Sequence, residues 1–102
     1  MSLADKVLQL AETWRDDTAA NLSELVQIPS LSGQERDVNA ALMRQLEAAG
    51  FDSVELDPLG NIVGKIGNGP RILAIDAHMD TVDVGELGNW GFDPFSGAIK
   101  DG

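Results

Sequence analysis

Apolar residues recur at steps of three and four over the first quarter of the chain: Leu3, Val7, Leu10, Trp14, Leu22 and Leu25, with Thr18 filling the gap. That spacing predicts one face of an amphipathic helix. Asp5, Lys6, Glu12, Arg15, Asp16 and Glu24 lie mostly off the stripe. Pro29 disfavours the helical basin for the residue before it, so the helix is expected to stop near Ile28. Trp14 lies on the stripe and is assigned to the core rather than to stacking on a ligand. After the loop Ile28–Gly33, Ser32-Gly-Gln-Glu35 reads as a capping box for a second helix. Val38, Leu42, Leu46 and Ala49 form its buried stripe. Gly50 ends it in the left-handed conformation, with Phe51 folding back on the last turn. Glu35 is assigned to capping, not to catalysis.

Period two replaces period three-and-a-half after Phe51. Val54–Leu56 and Ile62–Ile66 read as two strands, separated by the turn-forming run Asp57-Pro-Leu-Gly-Asn61. Gly67-Asn-Gly-Pro70 reads as a second turn. Ile72, Leu73, Ala74 and Ile75 are then continuously apolar, which predicts a strand buried on both faces. Its carboxyl end carries Asp76, His78, Asp80 and Asp83, and in open α/β sheets sites gather where strands end. Thr81–Gly102 is a long loop with glycines and an aromatic anchor, Trp90, Phe92, Pro94 and Phe95. Its run Asn89–Phe95 is read as pinning the loop in preference to lining a pocket. Ser96–Gly102 reads as a short strand entering a turn. A hairpin lacking its second arm is a poor end for a domain, so a partial domain is expected.

Composition narrows the function. The 102 residues make one small domain or part of a larger one. A complete chain of this size is expected to bury roughly 60–70% of its unfolded surface. Seventeen acids against seven bases give a formal charge of −10, which disfavours nucleic acid and anionic membrane as partners. There is no cysteine, so disulfides and thiolate chemistry are excluded. No apolar run is long enough for a membrane span, and Met1–Leu10 lacks a signal-peptide design. Cytoplasmic location is the default expectation.

Any chemistry must come from His78, the one histidine, and its neighbours. Neutral imidazole is the commonest metal ligand near neutral pH. A ligating imidazole usually gives its other N–H to a carboxylate or carbonyl, and Asp80 stands two residues on. Alternation puts Asp76 on the same side if the strand continues. On spacing alone two readings stand: His78 as a ligand, or as a hydrogen-bonded histidine at a strand end. One histidine plus acids falls short of the three or four ligands zinc needs. The glycines at 60 and 64 with Lys65 do not make a phosphate loop: one residue is missing, and Ile66 stands where Ser or Thr is required. A magnesium-dependent phosphoryl-transfer protein using Asp76, Asp80 and Asp83 therefore ranks lowest.

Several segments, in order, resemble one family. Ala77-His-Met-Asp-Thr-Val82, preceded by an apolar run and followed by Trp90 and Asp93-Pro-Phe95, is similar to the start of the aminoacylase, acetylornithine deacetylase and succinyl-diaminopimelate desuccinylase family. Ile28-Pro-Ser-Leu-Ser-Gly-Gln-Glu35 and Asp57-Pro-Leu-Gly-Asn61 match it as well. These are dinuclear zinc amidohydrolases and exopeptidases. Among subgroups, Ala74–Asp83 is most similar to the hydrolases associated with selenium metabolism. The resemblance implies His78 as a ligand to one of two zinc ions, with cobalt or manganese as alternatives. It implies Asp80 as the clamp on that imidazole and a catalytic residue. The family's mechanism also needs a bridging carboxylate, a glutamate base, further acidic ligands and a second histidine, so that a metal-activated water can attack an amide carbonyl. None of those positions is matched here.

The fold expected is therefore α/β: the amino-terminal part of a zinc-exopeptidase-like three-layer catalytic domain, two helices followed by a mixed sheet, incomplete across residues 1–102. The dimerisation domain and the remaining catalytic half are expected to be absent. The function expected is that of a fragment of a zinc-dependent amidohydrolase or metallopeptidase. Its substrates would be N-acyl amino acids or small peptides, and it would be inactive as this chain alone. The resemblance implies a small-molecule or peptide substrate and a homodimer for the complete enzyme. The alternative is a stand-alone acidic protein-binding module with no catalysis, pairing through an open strand edge.

Overall fold

The computed structural model describes all of residues 1–102. It is a small α/β arrangement of three helices and a two-stranded antiparallel sheet: α1 (Leu3–Thr13), α2 (Arg15–Val26), α3 (Arg36–Ala48), β1 (Ser53–Leu56) and β2 (Ile62–Lys65), with one 3-10 turn at Leu87–Asn89.

The single amino-terminal helix predicted from periodicity is two helices, broken at Trp14 (φ −95°, ψ 2°). No proline or glycine causes the break. Thr13 and Thr18 donate their hydroxyls back to the carbonyls of Gln9 and Trp14, at 2.9 and 2.8 Å. Such bonds to the fourth residue back bend helices. The stripe is present but nothing covers it. Leu3, Val7, Leu10 and Leu22 are exposed, and Trp14 is 55% exposed, which corrects its assignment to the core.

The capping box also falls elsewhere. It forms at the first helix, where the Ser2 hydroxyl accepts the Asp5 N–H at 3.1 Å and Asp5 accepts the Ser2 N–H at 2.9 Å. α3 starts at Arg36 with no side-chain cap. The reason lies in the preceding turn. Gln34 N–H donates to Leu31 carbonyl at 2.8 Å and Gly33 adopts φ +84°, so the chain completes a turn before the helix begins. Glu35 accepts the Gly33 N–H at 3.0 Å, and the Ser32 hydroxyl faces a different segment.

The end of α3 follows prediction. Gly50 sits at φ +88°, its N–H donates to Glu47 carbonyl at 3.0 Å, and Phe51 N–H donates to Leu46 carbonyl at 3.2 Å. That is the full Schellman pattern. It aims Phe51 at the hairpin, where a Cβ on Gly64 would lie 2.9 Å from the Phe51 ring. Only a glycine lets the strand approach so closely. β1 and β2 pair from Ser53↔Lys65 to Leu56↔Ile62. Asp57 closes their turn, accepting the N–H groups of Leu59 and Asn61, each at 2.9 Å.

The apolar run Ile72–Ile75 is not a strand and is not buried. Ile72, Leu73 and Ile75 are 93, 85 and 86% exposed, and neither edge pairs with β1 or β2. A doubly buried strand needs neighbours on both edges and a layer on each face. Here the hairpin strands pair only with each other. Residues 96–102 form no strand either. Instead Gly97 (φ +66°) presses on α2, where an added Cβ would lie 2.7 Å from the Ser23 carbonyl and hydroxyl oxygens.

Full burial is confined to Ser30, Val38, Asn39 and Ala41. The accessible surface is 8576 Å², against about 5,600 Å² for a compact monomer of this mass. The radius of gyration is 16.3 Å, against about 13 Å for a compact chain of this length. The sequence-based burial expectation is therefore not met.

Gly50→Ala leaves its surroundings untouched and is expected to destabilise the chain by about 1–2 kcal/mol through backbone strain alone, read as a lower urea midpoint. Gly97→Ala adds a collision with α2 and is expected to free residues 90–102 for limited proteolysis with helix content unchanged. Equal protease resistance would contradict that packing.

Candidate functional site

The segment carrying His78 has no ladder to hold it, so its position depends on ties to the loop between α2 and α3. Thr81 N–H donates to the Ser30 carbonyl at 2.8 Å, forming a single parallel bridge between Leu31 and Thr81. The buried Ser30 hydroxyl donates to the Met79 carbonyl at 3.1 Å and lies 3.3 Å from the Thr81 hydroxyl. Ser32 donates its hydroxyl to Asp80 Oδ2 at 2.5 Å. Two serines, two residues apart, thus hold three consecutive residues from across the chain.

Asp80 in turn meets His78. His78 Nδ1 lies 3.1 Å from Asp80 Oδ1 and 3.0 Å from the Asp80 carbonyl oxygen. The carboxylate and the carbonyl are acceptors only, so Nδ1 carries the proton. No hydrogen bond engages Nε2, and the side chain is 85% exposed while that of Asp80 is 39% exposed. The donor set for a divalent cation is therefore one imidazole nitrogen with its tautomer fixed by a carboxylate, which fits one position of a zinc site.

The Asp80 carboxyl is held below its ordinary value of 3.8, first by the Ser32 hydroxyl and then by the His78 ring. Asp57 is lowered by the Asn61 side chain and by backbone N–H groups of its turn.

The other sequence-predicted acids are not drawn in. Asp83 accepts the Gly85 N–H at 3.3 Å in a local turn. No three His, Asp or Glu side chains converge as a cation site, so Asp76 and Asp83 do not join His78 and Asp80. Glu35 stays with Gly33. Ser30 and Ser32 were not recognised from sequence as site residues. The available signal was their i, i+2 spacing in a proline-led extended run, which turns both hydroxyls to one side.

Two clefts lie nearby in sequence. One, of about 140 Å³, runs along the strap that residues 30–32 form against residues 79–81, and is lined by Pro29, Leu31, Thr81, Val82, Asp83 and Phe95. The other, of about 370 Å³, is an open depression lined by Leu87, Trp90, Gly91, Phe92, Asp93 and Pro94. Trp90 both pins and lines: its indole N–H donates to the Val84 carbonyl at 2.9 Å, and its ring meets Phe92 edge-on at 5.7 Å. No helix is long and apolar enough to cross a membrane.

No protein-family model and no solved structure matches the chain. Curated proteins do. The chain is 44% identical over 95 residues to the uncharacterized protein YgeY of Escherichia coli, covering 93% of this chain and 24% of that protein. It is 30% identical over 90 residues to the succinyl-diaminopimelate desuccinylase of Acinetobacter baylyi, covering 86% of this chain and 24% of that one. It is 44% identical over 61 residues to the LysW-lysine hydrolase of Deinococcus radiodurans, covering 60% of this chain and 17% of that one. The chain thus spans about a quarter or less of the length of these relatives, two of which are named for hydrolytic reactions.

Because the native Asp80 value lies below the unfolded one, its carboxylate favours the folded chain above about pH 4. That contribution is lost as the pH falls through the native value, and Asp57 acts in the same direction. Ser32→Ala is expected to raise the Asp80 value and move the loss to higher pH, as followed by carboxyl carbon NMR. An unchanged Asp80 titration would contradict the Ser32 contact.

Proposed function

We propose that this chain is the amino-terminal portion of a zinc-dependent amidohydrolase or metallopeptidase, with His78 as a metal ligand and Asp80 as its clamp. The observation carrying the reading is the 3.1 Å approach of Asp80 Oδ1 to His78 Nδ1, with Nε2 left free, in a chain whose relatives include named hydrolases. The substrate class proposed is the amide bond of N-acyl amino acids or small peptides, within a cytoplasmic enzyme. The zinc-exopeptidase-like three-layer domain, the selenium-linked subgroup and a homodimer of the complete enzyme are parts of the same proposal.

When bound, zinc supplies Lewis-acid polarisation of a carbonyl and a nucleophile available at neutral pH. This chain's own residues do less. Ser30 and Ser32 fix residues 79–81, Asp80 holds the proton on Nδ1, and His78 presents a lone pair on Nε2. One donor falls short of the three protein ligands a catalytic zinc site uses. The chain alone is therefore proposed to be inactive.

Purified chain assayed with zinc or cobalt on N-acyl amino acids and dipeptides is expected to give no turnover above the metal blank. Turnover abolished by His78→Ala would overturn the inactivity. The exposed, unpaired Ile72–Ile75 segment favours one second reading, an acidic module that pairs through this edge. Sedimentation separates the two: a discrete soluble dimer supports the module, and open-ended aggregation supports the enzyme portion.

A further inference from the structure

We propose that Ser32 is a positioning residue, whose hydroxyl sets the Asp80 carboxylate and through it the tautomer and orientation of the His78 ring. The inference rests on the metallohydrolase reading only for what Nε2 finally meets.

The geometry divides the work of Asp80 between its two oxygens. Oδ2 takes the Ser32 hydroxyl at 2.5 Å, and Oδ1 faces His78 Nδ1 at 3.1 Å. A carboxylate fixed at one oxygen cannot turn the other away, so the serine bond sets where Oδ1 points. Apart from His78 itself, Ser32 is the one side chain bonded to the Asp80 carboxylate, which is otherwise partly open to water. The ring depends on this more than most histidines. At 85% exposure it has almost no packing, so hydrogen bonds alone orient it.

Ser32 is itself well anchored. The Leu31–Thr81 bridge and the buried Ser30 hydroxyl hold the strap on one side. The Gln34-to-Leu31 turn bond and the left-handed Gly33 hold it on the other. The serine hydroxyl is therefore presented by a fixed backbone rather than by a mobile loop. Ser32 does not cap α3 because the Leu31–Gln34 turn puts Glu35 at the N-cap position, which leaves the serine side chain to face Asp80.

The test uses the full chain without metal, so that failure of the zinc reading leaves its result intact. With a single histidine, ring nitrogen NMR reads His78 alone. At about pH 9, well above the ordinary imidazole value of roughly 6.5, the neutral tautomers are resolved. Wild-type chain is expected to show mainly the Nδ1–H form. Ser32→Thr keeps the hydroxyl and is expected to keep that form. Ser32→Val has the shape of threonine without the hydroxyl and is expected to lower the ratio of Nδ1–H to Nε2–H, with the Asp80 carbonyl, 3.0 Å from Nδ1, left as the remaining acceptor. Ser30→Ala loosens the backbone that presents Ser32 without removing the Ser32 hydroxyl, and is expected to lower the ratio less than Ser32→Val does. An unchanged ratio in Ser32→Val would overturn the proposal. So would equal losses in the Thr and Val variants, or a loss in Ser30→Ala as large as in Ser32→Val, since either makes Ser32 a structural residue only.

Discussion

Four hydrogen bonds between residues 30–32 and 79–81 decide whether this chain has a site at all. Residues 72–80 lie in no sheet, so no ladder fixes their register. The strap replaces the ladder at one point, across a sequence separation of about fifty residues. Closing so long a loop costs chain entropy, and the bonds that close it are few. Burial of Ser30 shelters part of the seam from competing water. Through Ser32 the same seam reaches Asp80, and through Asp80 the imidazole. Between the seam and the Asp80 carboxylate that route is one hydrogen bond wide, the Ser32 hydroxyl on Oδ2.

The rest of the molecule is organised around α3. Its inward face buries Val38 and Ala41, its end places Phe51 against Gly64, and its flank is tied to α2 through Glu24, Arg44 and Gln45. Beyond that interface many of the large apolar residues are uncovered. The stripe of α1 and the run Ile72–Ile75 both face water. Contiguous apolar surface of this kind marks places where further polypeptide packs, or where chains associate. The negative charge of the chain opposes indiscriminate association, while an exposed apolar run outside the sheet invites it.

Local chemistry was legible in the sequence where it is decided locally. Gly50 terminating α3, the Asp57–Asn61 turn and the nearness of Asp80 to His78 all depend on residues a few positions apart. What failed depends on partners. The stripe containing Trp14 and the run Ile72–Ile75 have the pattern of buried elements, but pattern states what an element needs and not whether a neighbour supplies it. Ser32 was misassigned for a related reason. A serine three residues before a glutamate has the pattern of a capping box, but the Leu31–Gln34 turn delays the helix and the Ser32 hydroxyl donates to the distant Asp80 carboxylate instead. Of the proteins the motifs resemble, the succinyl-diaminopimelate desuccinylases are among those the sequence comparisons found, over about a quarter of their length.

The central claim is that His78 offers Nε2, and not Nδ1, to a divalent cation while Asp80 keeps the proton on the opposite nitrogen. Zinc titration of nitrogen-labelled chain, read at the two ring nitrogens of its single histidine, tests this directly. The account predicts a zinc-dependent shift at Nε2 with Nδ1 still protonated. A shift at Nδ1, or an unperturbed ring in millimolar zinc, would contradict it.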